Sequence, residues 1–86
     1  MASYRLEISS TAERQLRKLP ARELRRVVEA IEELANDPRP SGCRKLMGYK
    51  DVFRIRIGTY RLLYSVHDKR VIVVVLKVGH RRDAYR

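Results

Sequence analysis

Two segments of alternating hydrophobicity on either side of Gly58-Thr59 constrain the fold more than any other part of the sequence. Apolar and basic residues alternate from Val52 to Ile57, and apolar residues recur at every second position from Tyr60 to Val66. A period of two is typical of a strand with one buried face. Glycine at the first of two turn positions is typical of a tight hairpin. The sequence therefore predicts an antiparallel hairpin with one apolar and one basic face.

The predicted register of this hairpin brings like charges together. With a two-residue turn, Ile55 faces Leu62 and Arg56 lies directly opposite Arg61. Like charges that face each other across two strands destabilise a sheet unless an anion neutralises them. We expect the apolar face to pack on helices and the basic face to bind an anion.

The segment from Arg70 to Val78 is almost entirely β-branched, which predicts a strand covered on both faces. Its register is open between two alternatives, because a three-residue and a two-residue turn place the same residues on opposite faces. We favour a three-residue turn through His67, Asp68 and Lys69, since it keeps the cations out of the core. The residues that this register assigns to the basic face are Val71, Val73, Val75, Lys77 and Arg81.

The first half of the chain predicts a strand followed by a helical hairpin. Residues 3–8 alternate as a short strand, and Ser10 and Glu13 have capping-box spacing, so a helix is expected from Ser10 to about Leu19. Pro20 suits the first turn of a second helix, whose apolar residues follow a helical period. The charges of the hairpin alternate in sign, and we interpret it as scaffold. The order β-α-α-β-β-β indicates an α+β fold with a four-stranded, mainly antiparallel sheet.

The charge of the chain is large and unevenly distributed. The net charge is +10. Residues 1–43 hold eight basic and seven acidic side chains, a net of +1, whereas residues 44–86 hold twelve and three, a net of +9. Such a surface attracts a polyanion, which can be nucleic acid, an anionic membrane surface or an acidic protein.

Length and composition exclude several classes of protein. Eighty-six residues predict one domain, 1–86. The longest apolar run, Val71–Val78, is interrupted by Lys77 and is too short to span a bilayer, and no signal peptide is expected. The single Cys43 has no partner for an internal disulfide, which favours a reducing cytoplasm. Two histidines without clustered cysteines or carboxylates, and no glycine-rich phosphate loop, predict neither a metal nor a cofactor.

Four motifs follow one another in the second half of the chain. They are Lys45-Leu46-Met47-Gly48, Val52-Phe53-Arg54-Ile55-Arg56-Ile57-Gly58, Tyr60-Arg61-Leu62-Leu63-Tyr64 and Val78-Gly79-His80-Arg81-Arg82-Asp83-Ala84-Tyr85. After a strand and two helices, this series resembles the RelE/ParE superfamily of toxins from toxin–antitoxin systems over essentially the whole chain. The resemblance implies a small twisted sheet with a helical hairpin on one face. RelE-type members enter the ribosomal A site and cut mRNA, whereas ParE-type members inhibit DNA gyrase, and we favour the RelE-type function.

The resemblance to the RelE branch also assigns catalytic residues. The branch's basic pair falls on Arg54 and Arg56, its arginine after the hairpin turn on Arg61, and its last arginine and terminal tyrosine on Arg81 and Tyr85. Well-known members have lysine in the pair, and arginine replaces a lysine base poorly because it hardly deprotonates. The general base is therefore open among Tyr85, His80 and ribosomal RNA. The residues expected to bind RNA are Arg44, Lys45, Lys77, His80 and Arg82.

The partners implied by the resemblance are the ribosome, its mRNA in the A site and a RelB-like cognate antitoxin, with no membrane. The net charge of +9 in the second half favours an antitoxin with an acidic or disordered segment. In the favoured register, Leu63 lies beside the valines of the third strand and leaves aliphatic surface for that segment. We expect the antitoxin to cover the arginines or to displace residues 79–86.

Overall fold

The computed structural model describes residues 3–80 as two helices and a five-stranded sheet. The elements in chain order are β1 (Arg5–Ile8), α1 (Ser10–Arg17), α2 (Ala21–Leu34), β2 (Arg44–Lys45), β3 (Val52–Ile57), β4 (Tyr60–His67) and β5 (Ile72–His80). The sheet order is β1-β5-β4-β3-β2, and only the β1–β5 pair is parallel. The predicted α+β class is confirmed. The additional strand, β2, has two residues, too few to show a period in the sequence.

The helices pack their apolar sides on one face of the sheet, here called the helix face. Ser9, one residue before the predicted start, caps α1 by accepting a 3.0 Å hydrogen bond from the amide of Ala12 on its hydroxyl oxygen. Pro20 precedes α2, as its fixed φ favours. The buried core is Ala12, Leu16, Val27, Ile31, Leu34, Leu62, Tyr64, Val66, Val73, Val75 and Val78. Neither helix within residues 3–80 has the length and hydrophobicity to cross a bilayer.

The hairpin of β3 and β4 has the predicted register. Ile57 pairs with Tyr60, and Arg56 with Arg61, around Gly58, whose φ of 61° lies in the left-handed region that glycine adopts easily. The apolar side of the hairpin packs in the core, where the Tyr64 ring stacks on that of Phe53. The opposite side, here called the outer face, carries the arginines. The alternation and the glycine turn together were therefore sufficient to predict both faces of the hairpin.

The favoured register of β5 is wrong for its valines and right for its lysine. Val73 and Val75 pair with Val66 and Tyr64 on the helix face and are completely buried. The register then shifts between Leu63 and Tyr64, so that Lys77 pairs with Leu63 on the outer face. The cause is a β-bulge, because one inserted residue reverses the faces of the strand beyond it. The prediction assumed uninterrupted alternation and therefore had to choose between buried valines and an exposed lysine.

The turn before β5 contains a strained residue. Val71 has a φ of 57°, in the left-handed region that β-branched residues rarely adopt, and its carbonyl accepts a 2.8 Å hydrogen bond from the Arg5 amide. Val71 also keeps 38% of its surface exposed, so its side chain contributes little burial.

Replacing Val71 with asparagine is expected to stabilise the protein. Asparagine tolerates the left-handed region better than valine, and the gain should be about 0.5–1 kcal/mol, or a melting temperature higher by about 3–6 °C. Val71→Ala, which keeps a Cβ and lacks the local hydrogen bonding of asparagine, is the control. A thermal melt in which neither variant is more stable than the parent would show that valine in this backbone conformation carries no strain.

Candidate nucleic-acid interface

Four arginines from three adjacent strands line one pocket on the outer face. Arg44 pairs with Arg54 across β2 and β3, and Arg56 pairs with Arg61 across β3 and β4. Together with Gly42 they enclose about 310 Å³, here called the arginine pocket. Alternation along β3 places Arg54 and Arg56 on the same face, two residues apart. The structure thus brings together three of the predicted catalytic residues and one predicted RNA-binding residue.

The arginine pocket is suited to a multiply charged anion. Within residues 3–80, the side chains that line it include no carboxylate. Guanidinium groups stay charged at any physiological pH and present forks of donors that match phosphate oxygens two at a time. Two arginine pairs facing each other across strands repel. An anion bound between them would offset that repulsion.

The arginines of the pocket form two rows across the sheet, Arg44 with Arg54 and Arg56 with Arg61, and the next strand, β5, continues both rows. Lys77 of β5 lies beyond Leu63 in the row of Arg54, while Gly79 pairs with Arg61 in the second row. Glycine contributes no side chain to the row of Arg61. Lys77 therefore adds a cation to the outer face, as predicted, and a single residue, Leu63, separates it from Arg54 in that row.

Other predicted site residues lie away from the pocket or beyond the described part of the chain. Lys45 pairs with Phe53, which puts it at a position of the helix face. His80 pairs with Tyr60 and meets its ring edge-on, with the centroids 5.9 Å apart. The three remaining predictions fall on residues outside 3–80, namely Arg81, Arg82 and Tyr85.

The loop that leads to Arg44 is held by an ion pair that no pattern in the sequence indicates. Arg39 donates to both carboxylate oxygens of Asp68, at 2.8 and 3.2 Å, and Tyr4 donates to the same carboxylate at 2.7 Å. These donors lower the pKa of Asp68, Arg39 first and Tyr4 second. Arg39 also lies 5.2 Å from the centroid of the Phe53 ring. Since the partners are far apart in the chain, local sequence patterns could not predict this cluster.

The same loop is anchored at a second point. The Tyr64 hydroxyl donates a 2.8 Å hydrogen bond to the carbonyl of Pro38, and burial raises the pKa of that hydroxyl. Two contacts thus fix the loop before it reaches Gly42, whose φ of 93° favours glycine where the chain bends into the pocket. Sequence reasoning identified Arg44 and overlooked the loop that positions it.

An apolar groove lies beside the arginine pocket on the outer face. Its volume is about 550 Å³. Met47 and Tyr49 are 93% and 61% exposed at its rim, and Leu63 lies at its floor. The residues of this apolar groove are Ser9, Thr11, Leu46, Met47, Tyr49, Val52, Leu63, Leu76 and Lys77. Aliphatic surface next to the arginines was predicted, and Leu63 contributes to it as expected, whereas Val73 and Val75 are buried in the core and do not.

Comparison with known proteins identifies the relatives of this arrangement. A family model described as the ParE toxin of the type II toxin–antitoxin system parDE matches residues 6–85. Toxin RelG of Mycobacterium tuberculosis is 43% identical over 84 residues, which cover 96% of this chain and 97% of RelG. The mRNA interferase toxin RelE of Escherichia coli K12 is 32% identical over 81 residues, covering 92% of this chain and 84% of that toxin.

A solved structure shows the same fold. The archaeal RelE–RelB complex from Pyrococcus horikoshii contains a chain that superposes with a TM-score of 0.84 at 33% identity, covering 95% of this chain and 99% of that one. These matches, together with the helical hairpin on a small sheet, identify the chain as a toxin of a type II toxin–antitoxin system. Within that class, the chain belongs to the RelE/ParE superfamily.

Proposed function

We propose that this toxin is an endoribonuclease that cleaves mRNA on the ribosome and thereby inhibits translation in the cytoplasm. The observation that carries the proposal is the arginine pocket, in which Arg44, Arg54, Arg56 and Arg61 converge. The names of its E. coli relative, an mRNA interferase, and of the RelE and RelG toxins support this activity. We do not retain a gyrase-inhibitor function, because no observation favours it over cleavage.

The proposed reaction is an internal displacement at phosphorus. The 2′-oxygen of a nucleotide attacks the adjacent phosphorus while the bond from phosphorus to the 5′-oxygen breaks, which leaves a 2′,3′-cyclic phosphate and a 5′-hydroxyl. The proton lost by the 2′-hydroxyl goes to a base, and the departing 5′-oxygen takes up a proton. The protein must hold the three atoms in line and stabilise the extra negative charge of the transition state. No metal ion takes part in this scheme.

The arginine pocket supplies the electrostatic part of this scheme. In this proposal Arg54, Arg56 and Arg61, which line the pocket, bind the nonbridging oxygens of the reacting phosphate. Their positive charge stabilises the transition state most, because negative charge on the phosphate is greatest there. Arginine cannot accept the proton of the 2′-hydroxyl, so none of these residues serves as the base. We assign Arg81 to the phosphate or the departing oxygen, and Tyr85 to the nucleotide. The base remains one of Tyr85, His80 and ribosomal RNA.

We further propose that a RelB-like antitoxin binds the outer face. Structures of RelE–RelB complexes are among those that resemble this chain, which supports a partner of this kind. The apolar groove offers an exposed methionine and an exposed tyrosine next to the arginine pocket. A segment that is both acidic and apolar fits these adjoining surfaces and blocks access to the arginines.

Mapping of mRNA ends on translating ribosomes tests the proposed activity. Purified toxin is added to a translation reaction, and new 5′-hydroxyl ends are mapped by primer extension. New ends within the codon of the A site support the proposal. Ribosomes that stop without new ends, or naked mRNA cut equally well without ribosomes, would contradict it. A supercoiling assay with DNA gyrase, run in parallel, is expected to show no inhibition.

Two substitutions of Tyr85 separate the role of its ring from that of its hydroxyl. If the ring stacks on a base, Tyr85→Ala should lower cleavage by about 1–3 kcal/mol of barrier, whereas Tyr85→Phe should cut almost normally. If the hydroxyl takes part in proton transfer, both variants should lose activity equally. Single-turnover cleavage at saturating toxin is the measurement, and full activity in both variants would exclude Tyr85 from the mechanism.

A further inference from the structure

The helical hairpin has a basic end and an acidic end. Residues 14–26 hold six basic side chains and one acidic one, a net of +5, whereas residues 27–38 hold four acidic and no basic ones, a net of −4. The alternating charges expected of a scaffold are therefore separated along the hairpin. Arg22 and Arg26, one helical turn apart in α2, are like charges at a spacing that destabilises a helix. A helix face that contacts only solvent gains no stability from two neighbouring like charges.

The basic end of the hairpin meets the sheet at the β3–β4 turn. Arg22 and Arg26 line a cleft of about 310 Å³ together with Glu23, Val27 and residues 57–60. The Arg26 guanidinium lies over Gly58, where a Cβ would come within 3.2 Å of its nearest nitrogen. Both arginines are exposed, and within residues 3–80 neither forms an ion pair with a carboxylate.

The cleft and the arginine pocket lie on opposite sides of one exposed turn. Arg56, one position before the end of β3, pairs on the outer face with Arg61, one position after the start of β4, and Gly58-Thr59 joins the two strands. Because a strand advances only about 3.3 Å per residue, little more than the turn separates the Arg56–Arg61 pair from Arg22 and Arg26. Cations therefore follow a path from the outer face, around the turn, to the helix side of the molecule.

We propose that Arg22 and Arg26 form a second phosphate-binding site for RNA, which runs from the arginine pocket across Gly58-Thr59 to the N-terminal part of α2. A chain of evenly spaced phosphates fits two arginine pairs on either side of a turn better than a compact anion does. Glu23 lines the same cleft between the two arginines and leaves it with a net charge of +1. The inference deepens the proposed function, on which it rests for the first contact in the arginine pocket.

Equilibrium binding of a non-cleavable RNA tests the second site apart from catalysis. The probe is a single-stranded 2′-O-methyl RNA of about 14 nucleotides, and its affinity is measured by fluorescence anisotropy over a range of salt concentrations. The variant is Arg22→Gln/Arg26→Gln. The control is Lys69→Gln/Arg70→Gln, which removes the same charge from exposed residues in the turn at the other end of β4. A trinucleotide of the same chemistry is the short probe.

The second site predicts different results for the two probes. Each lost phosphate contact lowers the salt slope by about 0.7 for a single strand, so the variant should lose about 1.4 with the long RNA. With the trinucleotide, which occupies only the arginine pocket, variant and parent should agree, and the control should match the parent with both probes.

Three results would overturn the inference. Equal salt slopes of variant and parent with the long RNA would show that no phosphate is bound there. Equal weakening of both probes would show an effect of overall charge. Loss of binding to a polyglutamate peptide, with RNA binding unchanged, would assign the surface to an acidic protein. Cleavage on ribosomes is assayed separately, so a parent that binds the long RNA and cuts no mRNA refutes the proposed function alone.

Discussion

Replacement of Arg61 with alanine is expected to lower mRNA cleavage at least tenfold, which corresponds to about 1.4 kcal/mol of barrier. Arg61 lies opposite Arg56 in the arginine pocket and contacts the reacting phosphate in our proposal. The loss should appear in the single-turnover rate at saturating toxin, because the charge of the phosphate increases in the transition state. We expect a loss of the same size for Arg81→Ala.

Two further variants make this prediction specific. Arg61→Lys keeps the positive charge and loses the fork of donors, so its rate should lie between those of the parent and Arg61→Ala. Arg70→Ala removes a cation from the distant β4–β5 turn and should cut at the parental rate. Melting temperatures should be nearly unchanged, since Arg61 borders solvent and is not part of the core. If both Arg61→Ala and Arg81→Ala cut as fast as the parent, the active site lies elsewhere.

The parts of the fold that could be predicted from the sequence are those decided by local patterns. The β3–β4 hairpin follows from a period of two and a glycine at the turn, and its predicted pairs are all present. The helices follow from their apolar period, although Ser9 caps α1 in place of the expected Ser10 and α2 has no side-chain cap. Arg54, Arg56 and Arg61 could be grouped because their positions depend on this one register.

What the sequence did not reveal depends on contacts between distant segments. The β-bulge in β5 reconciles buried Val75 with an outward Lys77, and it is selected by packing against β4 and α1. Arg44 enters the pocket through a two-residue edge strand and a loop held by Arg39 and Asp68. Neither feature has a periodicity. The helical hairpin shows a related limit, because counting charges by sign overlooked their separation along the helices.

Binding of the antitoxin is expected to depend on the apolar groove more than on any single arginine. Tyr49 is an exposed aromatic residue, and Met47 is almost fully exposed beside it. Tyrosines in the centre of an interface commonly contribute about 2 kcal/mol or more, so Tyr49→Ala should weaken the antitoxin complex by at least about 30-fold. Met47→Glu should weaken it similarly, by placing a charge where an acidic segment docks. Isothermal titration calorimetry measures both effects.

Association and dissociation rates distinguish contacts in the apolar groove from the general attraction between a basic toxin and an acidic partner. Lys69→Gln/Arg70→Gln lowers the net charge away from the groove and should slow association, with a smaller effect at high salt, while dissociation stays at the parental rate. Tyr49→Ala should leave the association rate unchanged and raise the dissociation rate at every salt concentration. Tyr49→Ala should also cut mRNA normally, since Tyr49 does not line the arginine pocket. Hydrogen exchange should show protection of residues 46–49 and of the Arg54–Arg61 strands in the complex. If those segments and residues 79–86 exchange equally with and without the antitoxin, inhibition does not occur through the outer face.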